Sequence, residues 1–124
     1  MSREEQDKNL AKIIGPWPNT YTFTKSMAER TLKKRRPANL AVVIVRPSII
    51  IAAIKEPMPG WTDTVSAAGG LGMAVGSGLL NYVYGSYENI ADMVPVDFVI
   101  NGIMSASAFK ANKPGLTVVH SSTS

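Results

Sequence analysis

The spacing of hydrophobic and polar positions changes rhythm along the chain, and each change predicts an element. Residues 1–18 are polar and mixed in charge, and they end in Gly15-Pro16-Trp17-Pro18, where two prolines resist regular structure, so a mobile lead-in is expected there. Asn19 and Thr20 are residues that cap helices, and from Tyr21 to Arg36 there is no Gly or Pro. Tyr21, Lys25, Ala28 and Leu32 fall on one face of the predicted helix. Pro37 stops it.

Leu40-Ala-Val-Val-Ile-Val-Arg46 is continuous and β-branched rather than alternating, the pattern of a strand covered on both faces in a parallel sheet. Pro47 cannot donate to a ladder, so the strand should end near Arg46 and pass into a loop beginning Pro47-Ser48. Lys55-Glu-Pro-Met-Pro-Gly-Trp61 reads as an irregular loop, and residues 62–87 show no clean period. Further on, Met93 to Val96 suits a short extended piece, Asp97 is placed to cap a helix from Phe98 to Phe109, and Leu116 to His120 reads as a last strand. Helix followed by buried strand is the rhythm of an α/β layer.

Composition narrows the function classes. The 124 residues hold no Cys and one His, which removes thiol nucleophiles, thiolate metal sites and disulfides and leaves no metal site expected. The net charge of +4 is concentrated in Lys33-Lys34-Arg35-Arg36, a cluster that suits the C-terminal end of a helix. No aromatic residue is interleaved with it, so a nucleic-acid partner is not expected. The first residues lack the apolar stretch of a secretory signal, and an intracellular protein is expected. Thr64 to Tyr87 carries no charged side chain apart from its flanks, but Gly69, Gly70, Gly72, Gly76, Gly78 and Gly85 dilute its apolar content below that of a membrane span. Gly72 and Gly76 are expected to permit close backbone packing or flexibility. Trp17 and Trp61 are expected to anchor loops, and Asp92 and His120 read as bland.

The sharpest chemical feature is Tyr21-Thr22-Phe23-Thr24-Lys25, because a tyrosine and a lysine four apart share a helix face. A phenol titrates near 10 and is a poor acid–base group at neutral pH until a positive charge stabilises the phenolate. A neighbouring ammonium and the positive end of a helix dipole both supply that charge. A tyrosine so placed could protonate an oxygen while a hydride reaches the attached carbon, which is general acid catalysis of carbonyl reduction.

Tyr21-x-x-x-Lys25 followed by Val45-Arg46-Pro47-Ser48 resembles the later part of an extended short-chain dehydrogenase/reductase. More narrowly, Pro16-Trp-Pro-Asn-Thr-Tyr-Thr-Phe-Thr-Lys25, Arg46-Pro-Ser-Ile-Ile50, Lys55-Glu-Pro-Met-Pro-Gly-Trp61 and Asp92-Met-Val-Pro-Val-Asp97 look like the alcohol-forming fatty acyl-CoA reductases. The resemblance implies an α/β fold, the C-terminal portion of a Rossmann-like parallel-sheet domain over residues 19–124. It implies NADPH-dependent reduction of a long-chain fatty acyl-CoA to a primary alcohol with release of CoA. Tyr21 would be the proton donor and Lys25 would hold the nicotinamide ribose. The backbone of Pro47, Ser48, Ile49 and Ile50 would border the nicotinamide, and residues 55–61 with the Gly-rich segment would form part of the acyl-CoA side.

In that family a Gly-rich phosphate-binding turn, its first βαβ unit and a catalytic Ser or Thr precede the tyrosine, and a further domain follows. With twenty residues before Tyr21, these parts are expected to lie outside the chain, and the isolated chain is expected to bind NADPH weakly and to be inactive. Gly70-Leu-Gly-Met-Ala-Val75 does not supply the missing turn, since no strand precedes it. Peripheral association of a full-length parent with endoplasmic reticulum or peroxisome membrane is an expectation of the same kind. Two other readings stay open: a different extended reductase or epimerase acting on a nucleotide-sugar or small carbonyl compound, and a truncated, non-catalytic paralogue acting through association.

Overall fold

The computed structural model describes residues 2–65 and 68–124. Its elements are α1 (Arg3–Lys8), α2 (Leu10–Ile14), α3 (Thr20–Arg35), β1 (Ala41–Pro47), β2 (Ile49–Ile51), α4 (Ala68–Gly76), β3 (Met93–Pro95), α5 (Val96–Lys110) and β4 (Gly115–Ser121). They fall into two compact units, Met1–Leu40 and Ala41–Ser124.

The first unit is helical, including the stretch expected to be mobile. Ser2 and Glu5 explain the difference: the Glu5 amide donates to Ser2 Oγ (3.3 Å) and the Ser2 nitrogen donates to Glu5 Oε2 (2.8 Å). This reciprocal capping box starts α1. Gly15, in the left-handed region at φ 59°, and Pro16 then end α2. Asn19 is extended and its side chain accepts from the Thr22 amide (2.9 Å), so α3 begins where the sequence predicts. Lys33, Lys34 and Arg35 occupy the last turn, and Pro37 forces Arg36 into an extended conformation (ψ 139°) that stops the helix. The half-buried residues of α3 include Thr22, Phe23, Ser26 and Glu29, whereas Tyr21, Lys25, Ala28 and Leu32 are exposed. The face that patterning picked out is thus an outer face, because its apolar residues are few and separated by charge.

In the second unit β1 pairs in parallel with β4, from Ala41 opposite Gly115 to Pro47 opposite Ser121. Strand β2 pairs in parallel with β3, from Ile49 opposite Met93 to Ile51 opposite Pro95. Parallel pairing needs a crossover. The connection from β2 to β3 carries α4, which packs on β2, and the longer one from β1 to β4 includes α5, which packs on β1. This is an α/β arrangement, a portion of a Rossmann-like domain. Pro47 belongs to β1 rather than ending the strand before it, because the ladder continues past its missing N–H: the Ser48 amide donates to the Ser121 carbonyl (2.9 Å). Residues 41–45 are half-buried rather than enclosed on both faces, and Arg46 and Pro47 are exposed.

Among the described residues the buried apolar side chains are Ala53, Val94, Pro95 and Val99. Val99, Gly102 and Ala106 form the inward stripe of α5, and Ile103, expected to share it, is exposed. The region without a clean period contains α4, which its glycines hid from propensity reasoning. A Cβ built on Gly72 or Gly76 would meet nothing within 4 Å, so neither position is a close backbone approach. Ser66 and Ala67 of that region lie outside the described residues. No helix among the described residues is long and apolar enough to cross a membrane.

Candidate active site

Tyr21 is the second residue of α3, in the first turn, where unpaired backbone N–H groups make the helix end positive. One turn on, the Lys25 ammonium stands 5.5 Å from the centre of the Tyr21 ring, a cation–π distance. The Tyr21 side chain is 67% exposed, so the phenol is open to a ligand instead of packed in a core. The Asn19 cap that fixes the start of α3 also fixes this geometry. A hydroxyl donor and an ammonium on one open face can hold the hydroxyls of a sugar and deliver a proton to an oxygen beside it.

Pro47 to Ile50 belong to the second unit. They sit where β1 and β4 both end at their carboxyl termini, the edge at which open α/β sheets bind ligands. The chain changes partner here: Ser48 N–H is given to Ser121 and Ile49 N–H to the Asp92 carbonyl (3.1 Å). The Asp92 carboxylate secures the junction, accepting from the Thr123 amide (3.0 Å), the Thr123 hydroxyl (3.1 Å) and the Ser124 hydroxyl (2.7 Å). The Thr123 amide foremost, then the Ser124 hydroxyl, hold its pKa below the ordinary 3.8. Asp92 is therefore a tie between the ends of β3 and β4, which sequence reasoning passed over as bland.

Asp97 is the larger correction. It does not cap α5, whose cap position is Pro95; it lies in the first turn and is buried. Its carboxylate accepts from three successive loop amides, Ile54 (3.3 Å), Lys55 (2.9 Å) and Glu56 (3.4 Å), and also from the Phe98 amide at the start of α5 (3.2 Å). The Lys55 amide is the main reason its pKa is lowered. The only signal in the sequence was an acidic residue after a proline-containing extended piece, and that signal suggests a cap equally well.

The loop so held turns back on itself, with the Gly60 amide on the Ala53 carbonyl (2.8 Å) and the Ala53 amide on the Trp61 carbonyl (3.0 Å). Trp61 is accordingly an anchor of its loop. Between the loop and α5 lies a cavity of about 290 Å³, walled by Pro57, Trp61, Ile100, Asn101 and Met104. A second, of about 330 Å³, is walled by Ile50, Ile51, Thr62, Thr64 and Gly69. Trp61 and Val96 line both. Of the four residues expected beside a nicotinamide, Ile50 lines a cavity.

A model of an NAD-binding family, described as Male sterility protein, matches residues 1–103. The chain belongs to this family. It is 38% identical over 119 residues to Fatty acyl-CoA reductase 2 of Bos taurus, covering 95% of this chain and 23% of the relative. It is 42% identical over 113 residues to Fatty acyl-CoA reductase 1 of Homo sapiens, covering 90% and 22%. Probable fatty acyl-CoA reductase 5 of Arabidopsis thaliana is 38% identical over 120 residues, covering 97% and 24%. The chain thus spans about a quarter of the length of these relatives.

Membership assigns a nicotinamide cofactor to the domain. Tyr21 and Lys25, on one turn of α3 in the first unit, present a hydroxyl and an ammonium, groups whose chemistry suits ribose hydroxyls. The pyrophosphate end finds no glycine-rich strand-to-helix turn among the described residues, since Gly70 and Gly72 are inside α4.

Proposed function

We propose that this chain forms the proton-donating portion of an NADPH-dependent reductase of long-chain fatty acyl-CoA. The observation that carries the reading is the exposed Tyr21/Lys25 pair in the first turn of α3, within a chain 38–42% identical to proteins named fatty acyl-CoA reductases. Two NADPH, bound in turn, would each supply one hydride to the carbonyl carbon. After the first addition the thioester C–S bond breaks, CoA leaves as a thiolate that takes a proton from solvent, and an aldehyde remains. On the second addition Tyr21 gives its phenolic proton to the aldehyde oxygen, which becomes the hydroxyl of the alcohol, and solvent returns the proton. Lys25 holds the ribose hydroxyls and the position of the phenol. Pro47, Ser48, Ile49 and Ile50 border the nicotinamide, and the loop of residues 55–61 forms part of the acyl side.

The test is a chimera in which these residues replace the matching segment of the human relative. It is expected to oxidise NADPH when given hexadecanoyl-CoA and to ignore UDP-glucose. Turnover of UDP-glucose with none of hexadecanoyl-CoA would move the assignment to a nucleotide-sugar enzyme.

A further inference from the structure

The clamp on the loop of residues 55–61 has no part in the proton chemistry, and its position gives it another use. Asp97 accepts from three amides of one loop, from a helix more than forty residues away in sequence, as well as from the Phe98 amide of that helix. The segment it secures carries Pro57 and Trp61, which form one wall of the cavity of about 290 Å³; Ile100 and Met104, one and two turns along α5 from the clamp, form the other. Both walls are therefore set from one residue. The cavity is mainly apolar; Glu56, which also lines it, is exposed to water, and the clamp's charge is satisfied by hydrogen bonds, so it does not oppose an apolar guest. Its volume is at the lower limit for small-molecule sites, enough for part of a flexible chain and too little for a nucleotide.

We infer that the cavity between the loop and α5 receives the hydrocarbon chain of the acyl group, and that Asp97 is the positioning residue that holds its loop wall. This rests on the acyl-CoA reading above and names where the chain lies. Loss of one carboxylate oxygen would leave at least one loop amide without its acceptor and free the wall to move, whereas a larger side chain at Met104 would fill the space directly.

The experiment is calorimetric titration of hexadecanoyl-CoA into the 124-residue chain, well below its thermal transition, for the wild type, Asp97→Asn and Met104→Trp. Binding by the wild type is expected, weakened about tenfold or more in each variant. Free coenzyme A, which lacks the hydrocarbon, should show no difference among the three. If Asp97→Asn lowers the transition temperature yet leaves affinity unchanged, the residue is only structural and the positioning role is overturned. If Met104→Trp also binds as the wild type, the cavity assignment falls, whatever becomes of Asp97→Asn. No binding by the wild-type chain overturns the inference while leaving the reductase reading to the chimera, whose turnover is measured separately.

Discussion

Two carboxylates show how residue-scale chemistry escapes a sequence reading. Asp92 and Asp97 both look like ordinary loop or cap acids, yet each accepts hydrogen bonds from residues far along the chain, Asp92 from Thr123 and Ser124 and Asp97 from residues 54–56. Both pKa values are lowered on folding. The unfolded groups bind protons more readily than the folded ones, so their stabilisation is fully present above the ordinary value of 3.8 and is lost as pH falls through the lower folded values. Denaturant midpoints measured from pH 6 to pH 2 should therefore drop in the acid range, and Asp97→Asn should lower the neutral midpoint while flattening that drop. The proximity of Tyr21 and Lys25, by contrast, was legible: the spacing is local to one turn of helix and needs only that turn to form.

At the scale of elements, legibility followed the locality of the signal. Helix α3 and strands β1 and β4 lie within a residue or two of expectation, because capping residues, a proline stop and β-branched runs act over a few positions. Helix α4 was missed because glycine lowers helix propensity where packing on β2 decides the outcome. Helix α1 was missed although its Ser2-x-x-Glu5 signature was visible, since the prolines that follow drew the whole lead-in into one irregular reading. The cap of α3 offers a direct check. Asn19→Ala removes the acceptor of the Thr22 amide and should cost about 1 kcal/mol, read as a lower urea midpoint and a loss of helical circular dichroism. Since the cap also orients Tyr21, the same substitution in the chimera should slow reduction.

At the scale of the molecule, the chain pairs its strands two by two and leaves much apolar surface open. Leu79, Tyr82, Tyr84, Tyr87 and Ile90 are each at least 79% exposed and follow one another in a single stretch. Exposed apolar side chains so close together in sequence favour association. On a sizing column the isolated chain should run above its 13.3 kDa mass as concentration rises, and Leu79→Ser with Tyr82→Ser should shift it toward the monomer. The central claim, that this chain carries the proton donor of an acyl-CoA reductase, is tested most directly by Tyr21→Phe in the chimera with the human relative. That variant keeps the ring over which Lys25 sits and removes only the hydroxyl. The account predicts alcohol formation from hexadecanoyl-CoA reduced by about a hundredfold or more with NADPH affinity nearly unchanged. Normal alcohol output from Tyr21→Phe would contradict it.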